Sequence, residues 1–185
     1  MIRNIIIVAI MLLTGACNLA LGQQLPQIEK IRDQFFAFDK SKNAALNLYK
    51  SLEFADLSGN PVILAYRGAS SAASAGCVSG VMSKLEYFNH GKSELEKAVS
   101  IKPLDAEIRF LRLATQVNAP GFLGYSGDIR TDKALIIKTL SLVQANHPNA
   151  YLYQRICQFL LSYVKLEASE KNTIKQLVIK FTSKK

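Results

Sequence analysis

The stretch that decides the fold is Ser83–Gln116, which reads SKLEYFNHGKSELEKAVSIKPLDAEIRFLRLATQ. Ser83 followed three residues later by Glu86 is a capping-box pattern that predicts the start of a helix. Pro103 predicts its end, because proline cannot continue a helix. The apolar residues on either side of Pro103 recur every three or four positions, which is the helical period. The stretch therefore predicts a helix, a proline turn and a second helix.

The same period continues along most of the chain, and strict alternation of apolar and polar residues is not sustained anywhere. Asn60 and Pro61 predict another helix start, with asparagine as the cap and proline in the first turn. The small residues that follow Arg67 predict that a neighbouring helix comes very close there. We expect an all-α protein, with further helices near residues 26–38, 41–55, 61–75, 130–145, 150–166 and 170–182.

Residues 83–103 also resemble one unit of a tetratricopeptide repeat. Gly91, Leu95, Ala98 and Pro103 follow the spacing of that unit's second helix. The resemblance implies antiparallel helical hairpins stacked in an array. The chain after its first 22 residues is also similar to a family of uncharacterised exported helical proteins from Bacteroidota-type bacteria. Its most distinctive part is PLDAEIRFLRLATQVNAPGFLGY at 103–125. That likeness implies a location outside the cytoplasm, and it implies no activity.

The N-terminus reads as an export signal, since Arg3 precedes an apolar run at residues 5–13 that is too short to span a bilayer. The small residues Ala20 and Gly22 predict cleavage before Gln23. Thr14-Gly15-Ala16-Cys17 offers a second site, at which Cys17 would be lipidated. We expect residues 1–22 to be a signal peptide and 23–185 to form one domain of the periplasm or cell envelope.

The formal net charge is +9, with a local excess of lysine near the C-terminus. Such an excess is typical of a solvated helix face, although it would also suit anionic lipid or polysaccharide. Nucleic acid is a poor partner for an exported chain, and the tail lacks aromatic residues that would stack on bases. Membrane contact is expected only if Cys17 carries a lipid.

The sequence contains no pattern that predicts catalysis or cofactor binding. His90 and His147 belong to no HExxH motif, and neither a GxSxG nucleophile motif nor a phosphate-binding glycine loop occurs. Cys77 and Cys157 could form a disulfide after export or remain free thiols. We expect no enzyme activity, no metal and no cofactor, with an unrecognised catalytic site as an alternative.

Two groups of residues are candidates for binding. Arg109, Arg112 and Gln116 lie near one side of a helix, where together with Arg67 they could hold an anionic ligand or a carboxylate of a partner. The alternative is internal pairing with Asp128, Asp132 or Glu86. The loop 117–127 is the second candidate, because its apolar residues, Phe122 and Tyr125 among them, could either seal the core or grip a partner.

These features favour an exported helical-repeat protein that binds a protein partner or acts as a scaffold in the cell envelope. A lipoprotein held on a membrane through Cys17 is the structural alternative. Fold analogy supports the binding role, because stacked hairpins present extended surfaces.

Overall fold

The computed structural model describes residues 28–53 and 59–182. The predicted signal segment, Cys17 and its cleavage sites lie outside the described residues. Within these ranges helices are the only regular secondary structure, so the all-α class is confirmed. Helix α1 includes residues 28–35. The others are α2 (Ala44–Leu52), α3 (Pro61–Ser74), α4 (Val81–Ile101), α5 (Ala106–Asn118), α6 (Ile129–Leu142), α7 (Ala150–Tyr163) and α8 (Ala168–Thr182), with 3₁₀ turns at Phe38–Lys40 and Gly121–Leu123.

Two helix starts are fixed by side-chain caps. The Asn60 side chain accepts a hydrogen bond from the Ile63 amide at 3.2 Å, and Pro61 occupies the first turn, as predicted. At α5, Asp105 accepts from the amides of Glu107 and Ile108 at 3.0 and 3.1 Å. Both caps satisfy amides that the helix itself leaves without a partner.

The predicted capping box at Ser83 is wrong, because α4 begins two residues earlier, at Val81. Its cap position is Gly80, whose φ of 86° lies in the left-handed region. Glycine adopts that conformation without steric cost, so the chain turns into the helix there. Ser83 consequently lies inside the first turn of α4 and is not its cap residue.

Helices α3 and α4 cross at two glycines. A Cβ atom added to Gly68 would lie 2.8 Å from the Gly91 carbonyl oxygen, and one added to Gly91 would overlap the backbone of Gly68 and Ala72. Only glycine fits at this crossing, so the prediction of a close neighbour along the small-residue run is confirmed. Ser71 and Ser74 on the same run are fully buried.

Consecutive helices pack as pairs, with α3 on α4, α5 on α6 and α7 on α8. Further contacts of α3 with α5, and of α6 with α8, join the pairs into a helical array. The main apolar core runs between them, and its largest fully buried side chains are Tyr66, Phe110, Leu48, Leu95, Ile108, Leu111, Leu113, Ile136, Leu140, Ile156, Leu160 and Ile174.

Helix α7 ends three residues before the end of the helix expected at residues 150–166. Leu152, Ile156 and Leu160 are buried, whereas Tyr163 is 65% exposed at the end of the helix. The helix stops at Tyr163 and the chain leaves in extended conformation at Val164. Cys157 is buried and free, like the half-buried Cys77, and burial raises the pKa of the Cys157 thiol to about 12.

Candidate functional site

The two candidate arginines of α5 bind an internal carboxylate. Arg112 is 4% exposed and donates from Nε and Nη2 to the two oxygens of Asp132, each at 2.8 Å. Arg109 donates to the same carboxylate at 2.7 Å. Asp132, on α6, is fully buried. Internal pairing with Asp132 was one of the alternatives that the sequence left open. It occupies the guanidinium donors that an anionic ligand would need.

A second carboxylate, Glu96 on α4, joins Arg112 to the loop after α5. Arg112 Nη1 donates to Glu96 at 2.7 Å, and the Tyr125 hydroxyl donates to the other oxygen of Glu96 at 2.8 Å. Burial and this carboxylate raise the pKa of the Tyr125 phenol. Its ring meets Phe88 edge-on, with centroids 5.8 Å apart. Tyr125 is therefore an anchor that holds the loop against α4.

Phe122 lies three residues before this anchor and points away from the core. It is 85% exposed, whereas Leu123 packs against the small cluster of Ala72, Phe88 and Tyr125. Of the two alternatives for the apolar loop, sealing the core therefore holds for Leu123 and Tyr125. It does not hold for Phe122, which lies exposed in the 3₁₀ turn Gly121–Leu123.

Gln116 lies one turn beyond Arg112 and is 3% exposed. Its side-chain oxygen has no hydrogen-bond partner within the described residues. The atom is enclosed by protein, so a ligand in solution has no access to it.

Arg67 is separated from the α5 arginines. It donates to Glu94 on α4 through Nε at 2.8 Å and also through Nη2. Glu94 and Glu96 are two residues apart on one helix, so their side chains project in nearly opposite directions. Arg67 therefore lies on the other side of α4 from Arg112. The structure therefore does not bring Arg67 together with Arg109 and Arg112.

A serine, a histidine and a carboxylate do come together on the Arg67 side. Ser71 Oγ is 3.3 Å from His90 Nδ1, and His90 Nε2 is 3.7 Å from Glu94. The Ser71 hydroxyl is fully buried and donates to the Tyr87 carbonyl at 2.9 Å. A nucleophile needs both its proton acceptor and access to substrate, so this arrangement fastens α3 to α4 and presents no reactive oxygen.

The sequence did not reveal a third buried network. Arg32 on α1 donates to both oxygens of Glu107 at 2.8 and 2.7 Å, and the Tyr66 hydroxyl donates to Glu107 at 2.8 Å. Arg32 and Glu107 are 75 residues apart in sequence. No local spacing could have paired them.

Across the part of the chain that the structure describes, no three His, Cys, Asp or Glu side chains form a group that could hold a metal ion. Over the same residues, every helix is too short or too polar to cross a bilayer. No family model, no curated protein and no solved structure matches this chain.

Proposed function

We propose that this chain is an exported, tetratricopeptide-like helical protein of the cell envelope that binds another protein and has no catalytic activity. Export rests on the sequence of residues 1–22. The array of paired helices supports a binding role, because such arrays present extended surfaces rather than enclosed reaction sites. The observation that carries the proposal is the exposure of Phe122.

Phe122 is displayed on a fixed loop. The hydrogen bond of Tyr125 to Glu96 and the packing of Leu123 hold the chain after Phe122, and Ala119 packs against the same small cluster before it. An aromatic side chain presented in this way can be buried by a partner with little loss of conformational entropy. Anchored loops with exposed aromatic tips are therefore suited to contact a protein.

The arginines play a different part in this proposal. Arg109 and Arg112 are bound to Asp132, and removing them from it would leave a buried carboxylate without its partners. Both arginines join α5 to α6, and Arg112 also supports the loop through Glu96. The partner is recognised by the apolar loop tip.

The test is site-specific photocrosslinking in the native envelope. A photoreactive phenylalanine analogue replaces Phe122 in one variant and Leu104 in the control, since Leu104 is also an exposed apolar residue, 73% accessible, in the turn between α4 and α5. We expect a discrete heavier adduct from position 122 and none from position 104. Identical adduct patterns, or no adduct from position 122, would contradict the proposal.

A substitution complements the crosslink. Phe122→Ser should abolish capture of the crosslinked protein while leaving the thermal midpoint unchanged, because the side chain is mostly in solvent. Leu104→Ser should change neither. Undiminished capture by the Phe122→Ser variant would show that the loop tip is not the contact.

A further inference from the structure

The charge of this chain is concentrated in its last three helices. Residues 129–185 contain ten of the 23 Lys and Arg but three of the 14 Asp and Glu, which gives +7 of the total charge of +9. Residues 1–128 contain the other 13 basic and 11 acidic residues and are nearly balanced. A field of this kind attracts anionic surfaces.

Helices α6 and α8 lie side by side and run parallel. Lys133, near the start of α6, donates to Glu170, near the start of α8, at 2.7 Å. At the other end, Lys180 donates to the Ser141 carbonyl at 3.0 Å. The solvent sides of both helices therefore belong to one surface of the protein. We call the exposed cations of α6, of α8 and of the connection that leads into α8 the basic face: Arg130, Lys138, Lys165, Lys171 and Lys175.

The carboxylates of this region do not neutralise the basic face. Asp132 is buried against the α5 arginines, and Glu170 accepts its hydrogen bond from Lys133. Glu167 is the one exposed acid in residues 129–182. No ion pair within the described residues involves a member of the basic face. Five cations are thus presented together with one carboxylate.

Two exposed apolar side chains border this surface. Leu142, at the end of α6, is 79% exposed, and Tyr163, two residues before Lys165, is 65% exposed. Cations spread over two parallel helices, with apolar side chains at the margins, match a broad anionic surface that has an apolar interior. A fluid bilayer meets that description without needing shaped pockets.

We propose that the basic face docks on a bilayer that contains anionic phospholipid, with Leu142 and Tyr163 entering the headgroup region. This contact does not involve Phe122, so it stands or falls independently of the protein-binding function proposed above. It also requires no lipid on Cys17, because the contact is made by the folded helices. The protein would lie on the membrane surface and present the Phe122 loop elsewhere.

The experiment measures partition of the full chain onto vesicles of phosphatidylcholine alone or with about one third phosphatidylglycerol, in about 0.15 M salt. The test variant is Lys138→Gln/Lys171→Gln/Lys175→Gln. The matched control is Lys84→Gln/Lys97→Gln/Lys102→Gln, which removes the same charge from exposed positions on α4 and the turn after it. Because the apolar run at 5–13 binds lipid regardless of headgroup charge, the readout is the ratio of anionic to neutral partition.

We expect the unmodified chain to favour anionic vesicles. In the test variant this preference should fall by about a hundredfold, because each cation near the surface contributes about fivefold. In the control variant it should fall by less than about fivefold. Equal partition of the unmodified chain onto both vesicles would overturn the proposal, as would equal losses in the two variants. Binding of a soluble acidic polysaccharide, with no preference for anionic vesicles, would overturn the bilayer as the occupant.

Discussion

The two parts of the molecule differ in how far their cations are matched by carboxylates. In residues 28–128, each arginine donates to a carboxylate: Arg32 to Glu107, Arg67 to Glu94, and both Arg109 and Arg112 to Asp132. In residues 129–182, four of the eight cations are lysines exposed to solvent, and none of the four forms an ion pair within the described residues. The guanidinium group suits the first use because its planar donors match a carboxylate in a buried setting. The ammonium group suits the second, because it stays strongly hydrated.

This difference separates charges that hold the fold from charges that are available to a partner. A buried ion pair is costly to break on one side, since the remaining charge is left without compensation. An exposed lysine contributes little to stability. The two parts should therefore respond very differently when a single charge is removed.

The largest effect is expected at Arg112. Replacing it with methionine, Arg112→Met, leaves the buried Asp132 with Arg109 alone, and should lower the free energy of unfolding by about 3–5 kcal/mol. Urea denaturation measures the change. Adding Asp132→Leu to the same chain should recover part of the loss, because the uncompensated charge is then removed. A loss below about 1 kcal/mol in the single variant would show that the pair does not hold the fold.

A smaller effect is expected at Tyr66. Tyr66→Phe removes one hydrogen bond to Glu107 but leaves Arg32 in place, so we expect a loss of about 2 kcal/mol at neutral pH. Burial and the adjacent Glu107 carboxylate raise the pKa of the Tyr66 phenol well above its usual 10. A group with a raised pKa stabilises the fold below its unfolded pKa, and this contribution is lost as the pH rises. The unmodified chain should therefore lose stability more steeply than Tyr66→Phe above pH 10, and parallel pH curves would contradict the assignment.

These buried networks show which parts of the structure could be predicted from the sequence and which could not. The helices followed from apolar spacing, and Asn60 with Pro61 fixed one start, because those signals lie within a few residues of each other. Asp132 was among the acids expected to answer the arginines. Glu96, Glu94 and the Arg32–Glu107 pair were not foreseen, since each depends on how separate helices cross.

The candidate site was likewise predictable from the sequence only in part. The sequence named Phe122 and Tyr125 together as apolar loop residues, and only the path of the turn assigned one to the solvent and the other to Glu96. The lysine excess near the C-terminus was visible in the sequence. The contribution of Arg130 and Lys138 to the same surface depended on the parallel packing of α6 and α8.

A still smaller effect on stability is expected at the ion pair of Lys133 and Glu170. Partial burial would raise the pKa of Glu170, but the hydrogen bonds from Lys133 and from the Glu167 amide, together with the charge of Lys133, outweigh it and lower that pKa below its usual 4.5. The pair therefore stabilises the fold above about pH 4.5, and its contribution is lost as the pH falls. Glu170→Gln should cost about 0.5–1 kcal/mol at pH 7, and the two urea midpoints should converge near pH 3. A constant difference across this range would mean that the charge of Glu170 is not involved.

The smallest effect is expected on the basic face, and its sign is reversed. Lys171 and Lys175 are one helical turn apart and repel each other, and Lys171 lies in the unfavourable positive field near the start of α8. Lys171→Glu places a carboxylate four residues before Lys175, so the free energy of unfolding should rise by about 0.3 kcal/mol. The same variant should lose most of its preference for anionic vesicles, measured by partition beside Lys97→Glu as the control. If Lys171 slightly weakens the fold but strengthens lipid contact, its role is in lipid contact and not in stability. If Lys171→Glu instead lowers stability and leaves the lipid preference intact, Lys171 belongs with the charges that hold the fold.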